Sequence, residues 1–112
     1  VVKHKYYRLE GHTPVPCFFE EWTKRDEQNR RVDYTTMSGD VFVSTVFLGL
    51  DHSFSDEGPP VLFETMVLGL DDAKIYQTRC STWDEAVAMH EAALAWAKER
   101  LGAARNQRSR RS

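Results

Sequence analysis

The chain has 112 residues, with 15 Lys+Arg against 17 Asp+Glu and a formal net charge of -2, a length that fits one domain. Hydrophobic residues make up 41% and charged residues 29%, an ordinary globular balance that excludes fibrous and disordered classes. The longest apolar runs are about half of the ~20 residues a membrane span needs, no secretory signal is expected at the start, and two cysteines, Cys17 and Cys80, are too few for a disulfide scaffold and fit reduced cytoplasmic thiols.

Lys3 to Leu9 places Tyr6 and Tyr7 in a short aromatic run that suits an opening strand. Gly11 to Pro16 interrupts it, because Pro14 and Pro16 remove backbone donors. Cys17 to Asn29 reads as a helix with Phe18 and Trp22 on one face. Val32, Tyr34 and Thr36 alternate with polar neighbours, as in a half-buried strand, and Ser38-Gly39-Asp40 reads as a tight turn. Val41 to Leu50 follows, with Val41, Val43, Thr45 and Phe47 on one face and a largely apolar opposite face, so this strand belongs at the centre of a sheet. A polar loop, Asp51 to Pro60, leads to a second central strand over Val61 to Leu68. Gly69 to Asp72 turns the chain into a more polar strand, Ala73 to Cys80, placed near an edge.

The last element carries the clearest signals. Thr82-Trp83-Asp84-Glu85 has the spacing of a capping box. Trp83, Val87, His90, Leu94, Ala97 and Leu101 recur at steps of four and three and predict the packed stripe of a helix that stops at Gly102. The expected architecture is α+β: an antiparallel sheet of four or five strands, a short N-terminal helix, and a long C-terminal helix packed on one face. Residues 1–101 form the domain and 102–112 a basic, flexible tail. That tail holds Arg105, Arg108, Arg110 and Arg111 and no acid, whereas residues 1–101 carry a net charge of -6. Without aromatic neighbours the four arginines are a weak nucleic-acid signal, and a solvated end is the favoured interpretation.

Few residues suggest chemistry. Asp51, His52, Asp56 and Glu57 crowd the loop between the two most apolar strands. A carboxylate beside a histidine can build a general base or part of a metal site. Adjacent residues of an extended chain diverge, however, so a structural role for Asp51 in ending the strand is preferred. Glu64 alternates onto the face of Leu62, Met66 and Leu68, where it needs a partner, with His52, Arg79 and His90 as candidates. His90, on an apolar stripe, reads as a hydrogen-bonded core residue. No metal-ligand spacing, phosphate loop or catalytic nucleophile stands out, so neither metal nor cofactor is expected. Trp22 or Phe54, if exposed, would serve as interface anchors; equally, both could close the core beneath the loops.

Val43-Ser44-Thr45-Val46-Phe47-Leu48-Gly49-Leu50-Asp51-His52-Ser53-Phe54, then Pro59-Pro60-Val61-Leu62-Phe63-Glu64-Thr65-Met66, together with Cys80-Ser81-Thr82-Trp83-Asp84-Glu85-Ala86, Glu21-Trp22 and Arg30-Arg31-Val32, resembles a family of small uncharacterised proteins encoded by phages, prophages and their bacterial hosts. Val67-Leu68-Gly69-Leu70 stands where that pattern has a more Gly-rich turn, and the arginine tail lies outside it. The resemblance implies a mobile-element setting in a bacterial cytoplasm and no particular reaction. The leading expectation is a non-enzymatic binding module for a host protein or protein–nucleic-acid complex, including an anti-CRISPR-like inhibitor. Asp51, Asp56, Glu57, Asp71 and Asp72 would meet a basic surface. The alternatives are a nucleotide sponge, with Tyr6, Phe54, Trp83 or Trp96 stacking the base, and a small metal-dependent hydrolase using Asp51, His52 and Glu64.

Overall fold

In a computed structural model, which describes residues 4–24, 30–53, 57–70 and 76–110 and their side chains as far as residue 103, the chain is an α+β fold. The expected segments Phe54, Asp56, Asp71 and Asp72 lie outside the described residues. Strands β1 (Tyr7–Glu10) and β2 (Thr13–Pro16) form a two-stranded hairpin, followed by helix α1 (Phe19–Thr23). Strands β3 (Arg31–Thr36), β4 (Phe42–Phe47), β5 (Phe63–Leu68) and β6 (Tyr76–Cys80) make an antiparallel sheet in that order, and helix α2 (Trp83–Arg110) packs on one face of it.

The prolines do not break the chain as expected; they sit inside β2. Glu10 faces Thr13 across a two-residue turn in which Gly11 has φ +59°, the position of a two-residue hairpin that demands glycine. Pro14 and Pro16 face Leu9 and Tyr7, and Cys17 N–H donates to the Tyr6 carbonyl at 2.9 Å. That bond sets the phase of the ladder: both prolines fall where a backbone N–H would point away from β1, so the missing donors cost no ladder bond.

β4 and β5 occupy the centre, as their two apolar faces require. Val43, Thr45 and Phe47 of β4 and Phe63, Thr65 and Val67 of β5 are buried against α2. β3 departs from the expected alternation. Its pairing jumps from Arg31↔Val46 to Asp33↔Thr45, a bulge that reverses the phase of every later residue. Val32 and Thr35 therefore turn toward the helix, and Tyr34 is 39% exposed on the opposite face. The Leu62 expectation fails for a related reason. Leu62 precedes β5 and is 1% exposed in the core, so strand alternation does not carry it to the face of Glu64, Met66 and Leu68.

The capping box forms: Glu85 N–H donates to Thr82 Oγ1 at 3.1 Å, and Thr82 N–H donates to Glu85 Oε1 at 3.1 Å. The buried line of α2 is nevertheless rotated from the predicted stripe. Ala86, His90, Ala93 and Ala97 are buried, Trp83, Leu94 and Leu101 flank them, and Val87 is exposed. Alanines let the helix backbone approach the sheet closely, and larger side chains then fill the two flanks. Nor does the helix stop at Gly102. That glycine has no positive φ, and nothing crowds its Cβ position. One glycine inside a helix costs only about 1 kcal/mol relative to alanine, and Ala103 and Ala104 follow it.

Candidate functional site

The N-terminal elements build a cluster of aromatic side chains. An isolated bridge joins Tyr6 to Leu50, and Tyr7 N–H donates to the Gly49 carbonyl at 2.7 Å, anchoring the hairpin to the end of β4. Trp22 of α1 is half-buried there, its indole N–H donating to the Leu48 carbonyl at 3.3 Å. The indole nitrogen lies 2.8 Å from where a Cβ on Gly49 would stand, and Gly49 has φ +69°, so this close approach needs glycine. Tyr6 packs against Trp22 and Phe19 with ring centroids 5.3 Å apart in each case.

Phe19, which packs on this platform, is 51% exposed, and Phe18 beside it 77%. The expected anchor, Trp22, is thus the base of the cluster, and its neighbours are the rings that protrude. The signal was present in the Phe18-Phe19 pair. Successive residues entering a helix point about 100° apart, so both rings cannot reach one core. Glu20 and Glu21 occupy the first turn of α1, and Glu21 pairs with Arg8 at 3.3 Å.

The Asp51–His52 loop is organised differently. Asp51 Oδ1 accepts from the backbone N–H of Ser53 and of Val61, both at 2.9 Å, and Oδ2 accepts from the Ser53 hydroxyl at 3.1 Å. Its carboxylate ties the loop entrance to its exit. The His52 backbone N–H donates to the Val61 carbonyl at 3.0 Å, and Glu57 is exposed. The three residues proposed for hydrolysis are not brought together by a shared bond, because Glu64 is engaged elsewhere. Glu64 Oε2 accepts from Gln77 Nε2 at 2.7 Å and Arg79 Nε at 2.9 Å, so of its three candidate partners Arg79 is the one it meets. The row Arg31–Val46–Glu64–Arg79 crosses the sheet on the face away from α2.

His90 is 1% exposed and sits in a polar chain between helix and sheet. Its Nδ1 bonds Thr45 Oγ1 at 2.8 Å, its Nε2 bonds Thr35 Oγ1 at 2.9 Å, and Thr45 and Thr65 share a hydrogen bond at 2.6 Å. The Asp33 carboxylate is 3.6 Å from Nε2, with its side chain 52% exposed. Asp33, Thr45, Thr65 and Thr78 stand in one row across the four strands. Among the described residues Thr78 Oγ1 is buried with no hydrogen-bond partner. Acid, imidazole and hydroxyl are thus assembled, yet Thr45 and Thr65 are 0% exposed. No substrate reaches those two hydroxyls, which hold the core together, while Thr35 at the other side of His90 lines an open groove.

The remaining rings named by the sequence are occupied internally. Trp83 stacks on His12 at 3.8 Å between centroids, and Trp96 packs against Tyr76 at 4.7 Å. Burial pushes the Cys80 thiol up to about 11, with Glu85 adding to the rise, and burial also raises Cys17; neither environment activates a thiolate. An open groove of about 470 Å³ between the end of β3 and α2 is lined by Met37, Leu94 and Leu101, with Lys98 among its lining residues. Among the described residues, no three His, Cys, Asp or Glu side chains gather as a metal site, and no helix is long and apolar enough to cross a membrane. Comparison with protein-family models, curated proteins and solved structures found no match.

Proposed function

We propose that the chain is a non-enzymatic binding module that docks on a protein through Phe18 and Phe19. In the phage setting that the sequence resemblance implies, the partner is a host machine, and the finer form of the proposal is an anti-defence inhibitor of the anti-CRISPR kind. The observation that carries the reading is the pair of adjacent phenylalanines, 77% and 51% exposed, of which Phe19 packs on Tyr6 and Trp22. Small-molecule sites are concave, whereas these rings protrude and suit an apolar socket on another protein. Glu20 beside them favours a basic rim on that socket. The acidic loops are a poorer candidate, because the carboxylate of Asp51 already closes its own loop.

Capture from a nuclease-treated host lysate tests the proposal, with wild type compared against Phe18→Ser/Phe19→Ala. Burying the exposed parts of the two rings contributes about 2–4 kcal/mol in all, so the variant binds its partner about thirtyfold more weakly or worse while it melts close to wild type. Full retention of the partner by the variant, or no partner with wild type, overturns it.

A further inference from the structure

We propose that the face of the four-stranded sheet opposite α2 binds single-stranded nucleic acid, with Tyr34 stacking a base and Arg31 and Arg79 contacting phosphates. Helix α2 covers one face, and no other described element lies across the second. That second face carries Phe42, Ser44 and Val46 of β4 and Glu64, Met66 and Leu68 of β5 at its centre. These central residues are half-buried among themselves, whereas Arg31, Tyr34, Gln77 and Arg79 toward the two edges are exposed.

A ligand on this face therefore meets an aromatic ring, two guanidinium groups and an amide. Tyr34 leans on Phe42, ring centroids 5.2 Å apart, and the Arg31 guanidinium lies 4.6 Å from the Tyr34 ring. Arg31 has no carboxylate partner among the described residues. Glu64 grips Arg79 by Nε, which orients the guanidinium and leaves its terminal nitrogens for a second acceptor. With Arg31, Arg79 and Glu64 the face is +1, against -6 for residues 1–101 as a whole, so it is a locally cationic strip on an acidic body. Stacked aromatics beside arginines are how proteins hold single strands.

A second copy of the chain fits less well. Four strands about 4.8 Å apart, three of six residues and one of five, span roughly 400 Å², about half of the ~800 Å² per partner of a standard interface.

The test is fluorescence anisotropy of the full chain with labelled oligothymidine and oligouridine of about twelve nucleotides, within the usual range of single-strand site sizes, at several salt concentrations and against a duplex competitor. Both single strands bind and the duplex competes poorly. Tyr34→Ala weakens binding about tenfold or more. Arg31→Gln reduces the slope of log K against log salt by about 0.7. Both side chains are exposed, and melting curves verify that the variants stay folded. No binding at low salt overturns the proposal. So does binding unchanged by Tyr34→Ala, which moves the site to the basic end of α2, and so does a dimer that Tyr34→Ala dissolves, which gives the face to a second copy.

Discussion

Thr45→Val tests the role given to the buried network. The substitution keeps the shape of the side chain and removes a hydroxyl that bonds both His90 Nδ1 and Thr65 Oγ1. Both groups belong to residues at most 1% exposed, so water cannot replace what is lost. An orphaned buried polar group costs about 1–3 kcal/mol, and two of them sum to roughly 4 kcal/mol at the middle of the range. With an unfolding entropy of about 2.1 cal/mol/K per residue, Tm falls by about 17 °C. Urea denaturation measures the loss directly, with an unchanged m-value as the sign that the native state remains compact. A second variant separates hydrogen bonding from packing. Replacing the network together, Thr45→Val/Thr65→Val/His90→Leu, leaves Thr35 beside the open groove where water reaches it. This variant returns to within about 1 kcal/mol of wild type, because removing all partners leaves none unsatisfied. A Thr45→Val protein within about 0.5 kcal/mol of wild type, or a triple variant worse than the single one, would refute the reasoning.

Two further outcomes follow from the backbone and from the thiols. Gly69 has φ +92°, and a Cβ there would run into the Asp40 carbonyl oxygen, whereas Gly58 has φ +91° in open space; thermal denaturation should show Gly69→Ala losing more than about 2 kcal/mol and Gly58→Ala only about 1 kcal/mol. Because the Cys80 thiol is held up to about 11, mainly by burial, the folded chain keeps a proton that the unfolded chain releases. Stability therefore falls as pH rises from about 9 to about 11. Cys80→Ala flattens that decline in a pH series of urea melts, and an identical decline in the variant would assign it to other groups.

Most of what was legible in the sequence is local. The capping box of α2 closes within four residues, the Ser38–Asp40 turn lies around Gly39 at φ +71°, and the inward set Val43, Thr45 and Phe47 follows from a period of two along one unbroken strand. These patterns involve neighbours in the chain, so composition and spacing determine them. The central placement of β4 and β5 also follows from their two apolar faces.

Other features depend on partners far away in sequence. The bulge at Arg31–Asp33 turns Tyr34 outward, and only the pairing with β4 reveals it. The rotation of α2 is set by how closely its alanines approach the sheet and by the bond from His90 to Thr45, 45 residues away, so Val87 lost the place its hydrophobicity predicted. Glu64 found Arg79 because their strands are neighbours in register. The Trp22 indole takes the space over Gly49, 27 residues away, while Phe18 and Phe19 are left exposed. Sequence alone marked the four strands of the main sheet and the start of the C-terminal helix, though not β2 or the end of that helix; register and close packing decided which side chains each face presents, because a shift of one residue reverses a strand and rotates a helix by about 100°.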